Sequence, residues 1–134
     1  MGAAENKSLM VNVFAEMAKG NRVPFRDCLA EDVTWIFKGS TKWTGTYRGK
    51  VEVLTRLLGP IFAQFADEYT SHAQRFIADE DYVVVESQGR VTTRAGKPYH
   101  NQYCYVCRFR DGKVTEITEY MDTALADAVL ADPD

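Results

Sequence analysis

Basic residues are not in excess. Sixteen Lys and Arg stand against 19 Asp and Glu, for a net charge of −3. A protein that tracks a phosphate backbone needs the opposite balance, so nucleic acid is not an expected partner. No apolar run approaches the ~18 residues of a membrane span, so no membrane is expected either. The opening MGAAENKS lacks the basic-then-apolar order of a secretory leader, and the expected location is the cytoplasm. No glycine-rich turn joins a strand to a helix, and Gly49-Lys50 lacks the glycine spacing of a phosphate loop. Histidine is scarce: the two, His72 and His100, are separated by a strand and a hairpin. Metal catalysis needs several converging ligands. No metal and no nucleotide or redox cofactor is expected. Cysteine is scarce too, and the odd count of three argues for reduced thiols. Cys104 and Cys107 form a C-x-x-C, but inside a strand-like run. Positions three apart on a strand point to opposite faces, so these sulfurs cannot share a metal.

What is present is an ordinary globular chain. Its 134 residues are 46% hydrophobic and 26% charged, enough for one core in one domain over 1–134, closing on a polar tail at 131–134. Leu9, Met10, Val13, Phe14, Met17 and Ala18 recur at helical spacing over 5–19, and Gly20-Asn21 stops that helix. A short second helix spans 23–30, and VTWIFK at 33–38 reads as a strand. GSTKWTGTYRG reads as a loop. A third helix opens near Lys50 and buries Val51, Leu54, Leu58, Ile61, Phe62 and Phe65, with Gly59-Pro60 kinking or dividing it. Four strand-like runs follow at 68–80, 81–94, 98–110 and 113–122, separated by short turn signals that make the last three antiparallel neighbours. A short helix closes the chain. Segregated helices and a largely antiparallel sheet define an α+β fold. The long strands suggest a curved sheet wrapped around the third helix. Such a cone has an open mouth lined by side chains, a natural pocket for a small ligand.

Four segments carry a family resemblance: FRDCLAEDVTW after helix 1, GTYRGKVEVLTRLL opening helix 3, IADEDYVVVE at a hairpin, and YVCRFRDGKVTEITEYMD near the end. With them the chain resembles the nuclear-transport-factor-2-like superfamily, which includes ketosteroid isomerases, limonene epoxide hydrolases and SnoaL-like polyketide cyclases. The resemblance implies a conical α+β fold and a homodimer packed through the outer sheet face. It does not imply one activity, because the fold hosts enzymes, binding modules and adaptors. Matching to the isomerases puts Phe37 at the base position, with Phe14 and Tyr105 at the two hydrogen-bond donors. A phenylalanine cannot take a proton, so steroid isomerisation is not expected. Matching to the epoxide hydrolases offers Glu86, Gln88 and Arg90 on one strand and Glu119 on the last, a half-complete set. Matching to the cyclases offers Asp122. Asp122 is equally a good N-cap for the closing helix.

Strand parity adds to this. If Ile117 and Met121 face the cone, so does Glu119, while Thr118 and Tyr120 face outward. A carboxylate among aromatic walls is desolvated, which suits it to acid or base work. The same parity groups Asn101, Tyr103, Tyr105 and Cys107, with Trp35 and Phe37 joining from the first strand and Met121 from the last. Trp43 and Tyr47 would close the mouth, and His72 could reach the wall. The expected activity is cofactor-free isomerisation, cyclisation or hydrolysis of a small, mainly apolar molecule, with Glu119 or Asp122 as acid/base and Tyr105 or Asn101 polarising the substrate. The competing expectation is a non-catalytic ligand-binding or dimeric interaction module. Cys104, Val106, Arg108, Thr118 and Tyr120 would form the dimer face.

Overall fold

The computed structural model describes residues 2–134. Helix α1 (Ala3–Met17) buries Met10, Val13, Phe14 and Met17 along one stripe and lies across two strands of the sheet. Helix α2 (Val23–Asp27) is one turn long, with proline in its first turn, where a missing N–H costs nothing. It ends earlier than expected. Leu29 pairs with Val114, so Leu29 and Ala30 already belong to strand β1 (Leu29–Phe37). Part of the expected loop is also ordered. Strand β2 (Gly45–Arg48) folds back on β1, with Tyr47 opposite Trp35.

The third helix is divided as its Gly-Pro predicts. Helix α3 (Lys50–Glu52) passes into a wider π-helical segment over Val53–Leu58 and then helix α4 (Gly59–Phe62). Gly59 N–H bonds to the Leu54 carbonyl, five residues back. Pro60 has no N–H and crowds the carbonyl four residues before it, and the wider turn accommodates both problems. The buried face is therefore Val53, Leu57 and Ile61, while Val51, expected inside, is 73% exposed.

Strands β3 (Thr70–Asp79), β4 (Tyr82–Arg90), β5 (Gln102–Arg110) and β6 (Lys113–Met121) complete a six-stranded sheet in the order β2-β1-β6-β5-β4-β3. All neighbours are antiparallel except β1 and β6, which run parallel. The β5–β6 turn uses Asp111 and Gly112, both at positive φ, the conformation that suits a tight hairpin to strand twist. Helix α5 (Thr123–Val129) closes the fold. One core fills the concave side. At its closed end Val33, Val83, Val85, Cys107, Val114 and Ile117 are fully buried, each aliphatic chain contributing about 1.5–3 kcal/mol relative to exposure. At the other end the same inner face stays open.

Candidate functional site: a tyrosine-lined cavity with one buried carboxyl

The open end holds a cavity of about 440 Å³. One side is helical: Leu54, Leu57 and Leu58 of the π segment, with Ile61 and Phe62 of α4. The other is the sheet, which contributes Trp35 and Phe37 from β1, Tyr103 and Tyr105 from β5, and Glu119 and Met121 from β6. Tyr69 and Tyr99 enter from loops before β3 and β5. Arg22 and Arg26 stand on the α2 side.

Glu119 is the only carboxyl on these walls and is 7% exposed. Register explains its position: it lies opposite Tyr105 on β5 and opposite Phe37 on β1. The Trp35 indole Nε1 donates to its Oε1 at 2.9 Å. Burial pushes the Glu119 carboxyl up to about 7, and the indole bond pulls partly against that rise. The acid can therefore hold or release a proton near neutrality.

Four phenols surround this carboxyl. Burial raises all of them, Tyr99 to about 12, and a charge on Glu119 raises each further. They stay protonated where Glu119 titrates and so remain hydrogen-bond donors. The rings of Tyr103 and Tyr105 stack at 5.4 Å between centroids, and Tyr105 meets Trp35 edge-on at 6.3 Å. Gly89 on β4 makes this packing possible. A Cβ there would come within 2.8 Å of the Tyr69 hydroxyl and 3.0 Å of the Tyr103 ring.

The candidates named from sequence divide in two. Trp35, Phe37, Tyr103, Tyr105, Glu119 and Met121 come together on the cavity wall. The others do not. Asp122 caps α5, its Oδ1 accepting from Leu125 N–H at 3.2 Å. Asn101 is buried but serves as a brace. Its Nδ2 donates to the Tyr99 hydroxyl and the Asp122 carbonyl, and its Oδ1 accepts from Asp122 N–H. Cys107 lies in the closed core, and burial raises its thiol. His72 is exposed, because the inward partner on that part of β3 is Ser71. Trp43 is buried away from the mouth, with Nε1 donating to the Ala131 carbonyl at 2.9 Å, and the Tyr47 hydroxyl donates to the Trp43 carbonyl at 2.7 Å. The fold-back of β2 sends both toward the C-terminal segment, where Ala131, the first residue of the polar tail, is further held by Gln64. Glu86, Gln88 and Arg90 fall on the outer phase of β4, where Glu86 pairs with Arg75 at 2.9 Å, so the half-complete epoxide-hydrolase set is split between faces.

Sequence reading missed Tyr69, Tyr99, Arg22 and Arg26. A glycine interrupting the β4 pattern was the available signal for the tyrosines, since such a residue often marks a close approach. Among the described residues no three His, Cys, Asp or Glu side chains gather as a metal site would require. Among the described residues no helix is long and apolar enough to cross a membrane.

A curled six-stranded sheet with helices packed on it, holding a cavity on its inner side, is the α+β fold of the nuclear-transport-factor-2-like class. The chain belongs to the SnoaL-like domain family, whose model matches residues 11–117. Solved structures agree on the fold. Bal32a, from a soil-derived mobile gene cassette, is 18% identical with a TM-score of 0.79, over 94% of this chain and 96% of its own. A nuclear-transport-factor-2-like protein from Burkholderia xenovorans is 27% identical with a TM-score of 0.70, over 97% and 99%. TerC, co-crystallised with polyporic acid, is 21% identical with a TM-score of 0.72, over 89% and 92%. No curated protein matches the sequence significantly.

Proposed function

We propose that this protein binds a small, mainly apolar molecule in the cavity and moves a proton on it without a cofactor, in a reaction of isomerase, cyclase or hydrolase type. Glu119 is the acid/base and Tyr105, opposite it across the β5–β6 ladder, is the polarising donor. The observation that carries this reading is a single buried carboxyl on the wall of a largely apolar and aromatic cavity, pushed up to about 7 by burial. A general acid/base works best when its pKa lies near the operating pH. Neutral phenols beside it can stabilise an enolate as charge develops. Phe37 occupies the position matched to the steroid-isomerase base, so proton transfer here starts from β6 and not from β1. The polyporic acid of TerC supports a cyclic ligand for a cavity of this kind.

The test uses 2-tetralone, an apolar ketone with acidic carbon-bound protons. Binding is read by thermal shift and proton transfer by deuterium exchange from solvent. Glu119→Gln should retain binding and lower catalysed exchange by roughly 10²–10⁴-fold. Equal exchange by the variant overturns the assignment. Binding without catalysed exchange in either protein supports a ligand-binding module.

We also propose a homodimer through the outer face of β5 and β6, where Cys104, Val106, Arg108, Thr118 and Tyr120 alternate with the inward set. Tyr120 is 46% exposed on this face. Light scattering at micromolar concentration should give twice the chain mass, and a monomer mass rejects the pairing.

A further inference from the structure

Arg22 and Arg26 have no counter-charge. Both are exposed, and among the described residues neither is one of the six basic side chains that lie within 4.0 Å of a carboxylate. Both line the cavity, four residues apart at the two ends of α2. Arg22 is held in place, since its guanidinium carbon lies 4.1 Å from the centroid of the Phe62 ring, itself part of the opposite wall. That contact ties Arg22, at the start of α2, to α4. Burial, and then the like charge of Arg26, hold the Arg22 guanidinium below its usual value. Two neighbouring cations thus line the cavity, and among the described residues the only carboxyl on its walls, Glu119, is already bonded to Trp35 on the sheet.

We infer that the ligand is an amphiphilic anion: a ring-containing apolar body that fills the cavity toward Glu119, with a carboxylate or sulfonate-like group left at the mouth between Arg22 and Arg26. This rests on the reading of the cavity as the ligand site and adds the polarity and direction of what enters it. Planar guanidiniums suit an oxyanion because each presents paired N–H donors to two oxygens. A neutral ligand would leave both cations unpaired beside a surface it has dehydrated, at a cost in affinity. A cation is repelled. The arrangement also orients the ligand, because an anionic group driven deep would meet Glu119 and raise its proton affinity instead of using its charge.

Two fluorescent probes separate the claims. 8-Anilinonaphthalene-1-sulfonate and N-phenyl-1-naphthylamine share one aromatic body, and only the first carries an anion. The wild-type protein should bind the sulfonate roughly tenfold or more tightly than the neutral probe. The preference should shrink with added salt. The double variant Arg22→Gln, Arg26→Gln should lose the preference, its affinities for the two probes becoming equal. Leu58→Trp, which fills the cavity, should weaken both probes. Equal affinities in the wild type, or a preference that survives the double variant, overturn the anion inference alone. Binding of both probes unchanged by Leu58→Trp, or binding of neither to the wild type, overturns the cavity reading and the inference with it.

Discussion

Strands β5 and β6 each pass through two different interiors. Toward the closed end their inward residues are Cys107, Phe109, Val114 and Ile117, packed into the core. Toward the open end they are Tyr103, Tyr105, Glu119 and Met121, and the space before them is the cavity. Backbone pairing continues from one region into the other, from Cys107 opposite Ile117 to Tyr105 opposite Glu119. What changes is side-chain chemistry. A hydroxyl or carboxyl needs a partner or room for one, and the helical side supplies that room where the π segment stands off from the sheet. A dry core and a ligand site are thus built on one ladder within two residues.

The largest expected effect comes from moving a carboxyl from the open region to the closed one. Ile117→Glu puts a charge two residues from Glu119 on the same face, with no exposure and with the Trp35 indole opposite it already donating to Glu119. It should cost more than about 4 kcal/mol or abolish folding. Urea denaturation checks this, and near-wild-type stability would erase the distinction between the regions.

Next in size is the cost of keeping Glu119 where it is. An ordinary carboxyl titrates near 4.5, and this one near 7 in the folded chain. Between those values the folded state holds a proton that the unfolded state has released. Stability is therefore greatest below about 4.5 and falls as pH rises to about 7, by roughly 3 kcal/mol in all. Glu119→Gln keeps an acceptor for Trp35 and removes the charge. It should unfold at a higher temperature than wild type at pH 8 and equally at pH 4, as calorimetry would show.

Trp35→Phe should act in the opposite direction. It deletes the donor that favours the charged form, costing about 2 kcal/mol at pH 8 and less at pH 5. Denaturation at the two pH values would reveal the difference. The smallest effect is at the rim. Asp122→Ala should cost about 1 kcal/mol through loss of the α5 cap, while Asp122→Asn costs little. Neither should change probe affinity, since Asp122 does not line the cavity. Thermal unfolding beside a binding titration distinguishes a cap from a catalyst.

Much of this comparison was legible in sequence because it follows strand parity. Once Ile117 and Met121 were taken to face the cone and the family resemblance anchored Tyr105, alternation carried Glu119 and Tyr103 inward with them and set Thr118 and Tyr120 outward. Parity could not say where along a strand the core stops and the cavity starts. Cys107 and Asn101 share the phase of Tyr103 and Tyr105, yet one is core and the other a brace between Tyr99 and the α5 entry. His72 had no anchor to fix its phase. Trp43 and Tyr47 depended on β2, a strand too short and too rich in Gly and Thr to declare itself. Arg22 precedes and Arg26 belongs to a one-turn helix, and only the tertiary arrangement brings both to the cavity wall and Arg22 over Phe62.

The central claim is that a single carboxyl in the open region is desolvated enough to exchange protons near neutrality. It is tested most directly by following the Glu119 side-chain carboxyl carbon by NMR across pH 3–9, assigned by its absence in Glu119→Gln. The account predicts a single titration centred at about 7. A midpoint near the ordinary 4.5 would show that the cavity solvates Glu119 like any surface carboxylate, and would contradict the account.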